Sequence, residues 1–132
     1  MKEYLKTRNH TTFKRYCKFL RLQDDPVLIE KYRQIHAPGM VWPDITGDMK
    51  EAGILDMEIY IHGNNAFMIM ETVPDFDHEK AMRALASKPR QVEWENYVSR
   101  FQHAEGRSDT PEKWEIMEQM KLFISLLLTS IL

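Results

Sequence analysis

One cysteine stands among 132 residues, and that scarcity removes two classes of architecture. Cys17 alone excludes an intrachain disulfide framework and leaves too few thiolates for a zinc ribbon. It lies in a strand-like run and reads as a buried structural thiol. Charge of one sign is also missing. Eighteen Lys and Arg face 20 Asp and Glu, a net charge of −2, without the positive surplus that a nucleic-acid footprint needs. The most apolar stretch, Leu122 to Leu132, is only about half the roughly 20 residues of a membrane span. No charged-then-apolar leader opens the chain, so a cytoplasmic protein without nucleic-acid or membrane partners is expected. Internal repeats and low-complexity segments are absent. So are a P-loop, a dinucleotide fingerprint, a nucleophile elbow and a Cys–His pair of diagnostic spacing. His62 and His78 fall on separate elements and make a weak metal pair, so no metal site is expected.

What is present suits one globular domain. Hydrophobic residues make up 43% and charged residues 29%, and the chain is long enough to bury a core without cross-links. Residues 1–12 are polar and basic and read as an arm. Phe13 to Gln23 (FKRYCKFLRLQ) is near-alternating and predicts a strand, with Tyr16, Lys18, Leu20 and Leu22 on one side. The basic residues of this end (Lys2, Lys6, Arg8, Lys14, Arg15, Lys18 and Arg21) read as a solvated strand edge. Asp25-Pro26 supplies an N-cap and a first-turn proline, and Leu28, Tyr32 and Ile35 continue as a helical stripe with His36 beside it. Ala37-Pro38-Gly39 ends that helix. A second one starts near Pro43 and ends at Gly53. Ile54 to His62 and Ala66 to Val73 form a hairpin across Gly63-Asn64-Asn65, and the second arm, apolar on both faces, is expected to be central in the sheet. Helices follow around His78, Met82 and Leu85, and around Trp94, Tyr97, Val98 and Phe101. A polar loop spans 102–111. The C-terminal segment reads as strand or helix, with propensity alone leaning slightly toward helix. The order fits a ferredoxin-like α+β domain, an antiparallel sheet with helices on one face.

Tyr32 and His36, four apart on one helix face, carry the chemistry best. Imidazole titrates nearest neutrality and suits proton transfer at pH 7, and a phenol beside it could hold a polar ring. The plainer readings are a histidine at a helix end, favoured by the local dipole, and a core tyrosine with a backbone partner. Trp94 with Tyr97 reads most simply as helix packing. Glu71 is the one acid in the apolar hairpin arm; a buried carboxylate is rare unless paired, so it is either a salt-bridged structural residue or a catalytic base.

Taken together, Tyr32-x-x-x-His36, Trp42-Pro43, Gly53, Ile59-Tyr60, Phe67-x-x-Met70-Glu71 and Trp94-x-x-Tyr97 resemble the bacterial L-rhamnose mutarotases over most of residues 13 to 124. The resemblance implies a homodimeric α+β barrel that interconverts the α and β anomers of a 6-deoxyhexose pyranose with no metal or organic cofactor. It implies His36 as proton donor, with Tyr32 and Trp94 touching the sugar. Tyr60 is taken as a further contact and Glu71 as a second polar group at the substrate. It also implies a strand from about Glu115 to Ile124, leaving 125–132 as an apolar tail. Rhamnose enzymes have a tyrosine where this chain has Met57 and a second tryptophan where it has Glu95, which brings L-fucose forward as the sugar. The same architecture hosts cofactor-free monooxygenases and ligand-binding proteins, so those readings stay open, as does a pure interaction module.

Overall fold

A computed structural model of the chain describes residues 2–8, 10–103, 113–121 and 123. Strand β1 (Lys14–Arg21) leads to helices α1 (Pro26–Ile35) and α2 (Pro43–Ala52). The hairpin β2 (Ile54–His62) and β3 (Asn65–Thr72) follows, then α3 (His78–Ala86), α4 (Pro89–Val98), a short 3₁₀ turn and β4 (Glu115–Ile116). The four strands form one antiparallel sheet in the order β2-β3-β1-β4, the arrangement expected of a ferredoxin-like α+β domain. None of the helices among the described residues is long and apolar enough to cross a membrane.

Local chemistry sets the element limits. The Asp25 side chain accepts from Val27 N at 2.9 Å and Leu28 N at 3.4 Å, which satisfies donors that the first turn of α1 leaves open. Pro26 then occupies a first-turn position where its missing N–H costs nothing. At the end of α2, Gly53 adopts φ 106°, a left-handed conformation that side chains disfavour. A Cβ there would lie 2.9 Å from Val73 Cγ2. The chain therefore turns at once from α2 into β2.

Strand alternation divides the sheet into two faces. Tyr16, Lys18 and Leu20 of β1 lie opposite Met70, Met68 and Ala66 of β3, and this face meets the helices. Leu20, Leu22 and Ala66 pack with Tyr32 of α1 and Phe101. Farther along, Met68 and Met70 pack with Ile54, Phe76 and Leu85. Ile45 of α2 joins Trp94 and Val98 of α4 in a third cluster. On the other face Arg15, Cys17 and Phe19 lie opposite Glu71, Ile69 and Phe67.

Two expectations need correction. The basic strand β1 is not an edge: it lies between β3 and β4, and while Lys14, Arg15 and Arg21 are exposed, Lys18 is fully buried. Alternation puts Lys18 on the helix-facing side, where long-range packing outweighs the preference of an ammonium for water. The final strand is also shorter than expected. β4 pairs only Glu115 and Ile116 with Phe19 and Lys18, with one further bond from Met117 N to Cys17 O at 2.7 Å. Residues 118–121 continue without strand pairing. The tail over 125–132 and most of the loop expected over 102–111 lie outside the described residues.

Candidate active site

Between the helices and the sheet lies a cavity of about 380 Å³, within the usual range for small-molecule sites. Its floor is the helix-facing side of the hairpin, Met57, Ile59 and Ile61 of β2 with Met68 and Met70 of β3. Its walls carry the polar groups: Tyr32 and His36 from α1, Gln91, Trp94 and Glu95 from α4, Gln102 beyond the 3₁₀ turn, and Lys113 and Trp114 from the segment entering β4. An apolar floor with a few convergent polar groups is the usual form of a ligand site.

His36 is the residue closing α1. Its Nδ1 lies 2.8 Å from the carbonyl oxygen of Tyr32, one turn back. A carbonyl only accepts, so Nδ1 carries the proton and donates it, and Nε2 keeps its lone pair when the ring is neutral. Burial lowers the pKa of His36 below its ordinary 6.5, and the bond to Tyr32 O only partly opposes that shift. The ring is therefore neutral at pH 7, with Nε2 as the nitrogen left for a ligand. It rests at 4.1 Å from the Tyr32 ring and meets Trp94 edge-on at 5.5 Å.

Tyr32 is 1% exposed. Burial first, then the negative charge of Glu95, raises its pKa well above the ordinary 10, and a hydrogen bond from the Gln102 side chain opposes them. The phenol is therefore held protonated. Trp94 is also buried and is braced by Trp42, whose ring lies 5.0 Å away, edge to face. Trp42 in turn stacks on Tyr97 at 5.9 Å. The chain thus brings Tyr32 and His36, four apart on α1, to one cavity with Trp94, the grouping that the resemblance implies.

Tyr60 and Glu71 are not brought there. Ile59 and Met70 face the cavity, so their neighbours in sequence face the opposite side of the sheet. Tyr60 is exposed, with its hydroxyl donating to Glu58 at 2.6 Å. Glu71 accepts from Arg15 Nη2 at 2.6 Å, from Arg8 Nε at 3.2 Å and from His10 Nε2 at 3.0 Å. Of the two readings open for Glu71, this geometry supports the salt-bridged one: its carboxylate ties the arm and β1 to the back of the sheet. Met57 and Glu95, the departures from the rhamnose pattern, do line the cavity. Sequence reasoning passed over Gln91, Gln102 and Trp114. Trp114 carried the only available signal, an aromatic beside a strand. Among the described residues no three His, Cys, Asp or Glu side chains gather as metal ligands would.

Residues 15–122 match the family model described as L-rhamnose mutarotase. The chain belongs to the L-rhamnose mutarotase family. It is 36% identical over 103 residues to a protein named L-fucose mutarotase from Xanthomonas campestris, a match covering 78% of this chain and 82% of that one. A Dictyostelium discoideum protein known only by a family number is 33% identical over 101 residues, 76% of this chain and 78% of its own length. The crystal structure of an L-rhamnose mutarotase from Formosa agariphila superposes with a TM-score of 0.59, covering 84% of this chain and 99% of that one at 16% identity. At that identity the superposition establishes the α+β fold.

Proposed function

We propose that this member of the family is a mutarotase that interconverts the α and β anomers of a 6-deoxyhexose pyranose, with L-fucose ahead of L-rhamnose as substrate. The observation that carries the reading is the His36 imidazole on the cavity wall, with Nδ1–H fixed on the Tyr32 carbonyl and Nε2 free to act. The L-fucose name of the Xanthomonas relative, and Met57 and Glu95 at the cavity, favour that sugar.

Mutarotation requires a proton to leave the anomeric hydroxyl while one reaches the ring oxygen. Neutral His36 begins as the base: Nε2 takes the hydroxyl proton as the bond between the anomeric carbon and the ring oxygen breaks and the aldehyde forms. The two oxygens are attached to one carbon, so the imidazolium can return the same proton to the ring oxygen. Rotation about the adjacent C–C bond then presents the other carbonyl face, and the steps reverse to close the opposite anomer. The donor role implied by the resemblance is the second half of this cycle. Tyr32, kept protonated by burial, holds a sugar hydroxyl, and Trp94 covers the C–H face of the ring. Glu71, behind the sheet, has no part in the transfer.

A homodimer belongs to the same reading. Cys17, Phe19, Phe67 and Ile69 leave a half-buried apolar strip on the face opposite the helices, and sedimentation of the purified protein measures its state. Saturation-transfer NMR of anomer exchange over L-fucose, L-rhamnose, D-galactose and D-glucose tests the activity. The expected result is acceleration of the 6-deoxy sugars, L-fucose most. Exchange at the rate of buffer for all four overturns it. The methionine-rich floor would also suit an apolar ligand, and a thermal-shift series decides between the two, because a ligand that binds only the folded state stabilises it.

A further inference from the structure

Gln102 follows the 3₁₀ turn in a segment that sequence alone reads as polar loop, yet it is 6% exposed and lines the cavity. Its backbone is fixed from several directions. It bridges to Leu22, its N–H donates to Ser99 O at 3.2 Å, and the next residue, His103, donates to Arg21 O at 2.8 Å. Its carbonyl accepts from Gln23 Nε2 at 3.2 Å. The amide head is therefore presented by rigid surroundings.

Its Oε1 is buried with no hydrogen-bond partner among the described residues. Gln91, the other buried amide on the cavity, differs: its NH₂ donates to the Ile45 carbonyl at 3.4 Å and ties α4 to α2. A buried acceptor without a donor is costly and calls for an explanation. An unpartnered acceptor on a residue that lines a ligand-sized cavity, together with Tyr32 and His36, has a direct one. Once a ligand has expelled the water, a hydroxyl on the ligand can supply the missing donor.

We infer that Gln102 is a specificity-determining residue of the sugar site, its Oε1 accepting a hydrogen bond from one pyranose hydroxyl other than the anomeric one. The inference rests on the mutarotase reading and extends it, because a site built around a buried acceptor rejects sugars that lack the matching hydroxyl. The contact also joins recognition to the wall that holds His36, since Gln102, Tyr32 and His36 line one cavity.

The test compares wild type, Gln102→Met and Gln102→Glu by saturation-transfer NMR on L-fucose and its monodeoxy analogues at each non-anomeric hydroxyl, taking kcat/KM for each pair. Methionine keeps the length and removes the acceptor; glutamate keeps the acceptor. For Gln102→Met the expected result on L-fucose is a loss of roughly 10- to 100-fold, most of it in KM. On one monodeoxy analogue that loss should vanish, because that analogue has already given up the contact. Gln102→Glu should retain the wild-type order of preference among the analogues. An equal loss on every analogue, or no loss on L-fucose, overturns the inference. Should Gln102→Met prove unfolded by its melting curve, a Gln102→Glu enzyme that has lost the wild-type order overturns it, and one that keeps that order upholds it. A wild-type enzyme inactive on every 6-deoxyhexose instead overturns the mutarotase reading itself, which separates the two failures.

Discussion

At the scale of single residues, the proposed proton transfer depends on which form of His36 is present at rest. Burial favours the neutral ring, and the Tyr32 carbonyl dictates which nitrogen keeps the proton. Substituting His36→Ala removes the imidazole proposed to move the anomeric proton and should lower kcat by about 10²–10⁴. The backbone of α1 keeps its terminal bonds, because the His36 N–H that reaches Arg33 O survives the change; the melting temperature should therefore stay within a few degrees. The pH profile follows from the direction of the shift. Activity requires neutral Nε2, so it should be level above the ordinary value of 6.5 and fall only as pH drops through the lower folded value. Stability carries the same sign. The unfolded chain takes up the proton first, so the contribution from keeping this ring neutral is intact above 6.5 and is lost as pH falls through the folded value. A rate profile that falls on the alkaline side of neutrality would contradict the base assignment.

At the scale of elements, the legible parts of the fold are those set by local chemistry. Asp25-Pro26 starts α1 where a cap and a first-turn proline require it, and β2 spans Ile54–His62 as its alternation and the Gly63 turn require. Gly53 ends α2 for a reason visible in the sequence and tightened in space. Replacing it with alanine forces φ 106° on a residue with a Cβ and presses that Cβ against Val73. The expected cost is about 1–3 kcal/mol, read as a lower denaturation midpoint at unchanged slope. The illegible parts depend on distant partners. No local pattern says that β1 lies between two strands, which is what buries Lys18. β2 alternates Met57, Ile59 and Ile61 against Tyr60, but its partner arm is apolar on both faces and leaves open which of them the helices cover. That choice decides that Met70 reaches the cavity while Glu71 and Tyr60 do not. Gln102 escaped notice for the same reason, since its burial comes from a bridge to Leu22, far away in sequence.

At the scale of the whole molecule, the sheet separates two tasks. One face borders the cavity; the other anchors the arm, through Lys6 to Glu58 at 2.6 Å, the edge contact of Tyr4 on Tyr60 at 6.0 Å, and Arg8 and His10 to Glu71. Glu71→Ala should therefore loosen the arm and lower stability by about 1–3 kcal/mol. The larger penalty of breaking a fully buried pair is not expected, because the Arg8 and Arg15 side chains are 49% and 40% exposed and water screens them. Anomer exchange should stay within about threefold of wild type, since the cost of a back-face change falls on stability. A collapse of kcat in a folded Glu71→Ala enzyme would return Glu71 to the reaction.

The cavity floor carries Met57, Met68 and Met70, with Met49 of α2 and Met82 of α3 beside it. Thioether chains are unbranched and re-seat easily, so this floor can be remoulded around differently shaped guests while the polar wall stays fixed. The same softness is a liability under oxidative stress: conversion of these sulfurs to sulfoxides places dipoles where the pyranose needs a greasy bed, and a sulfoxide reductase would restore it.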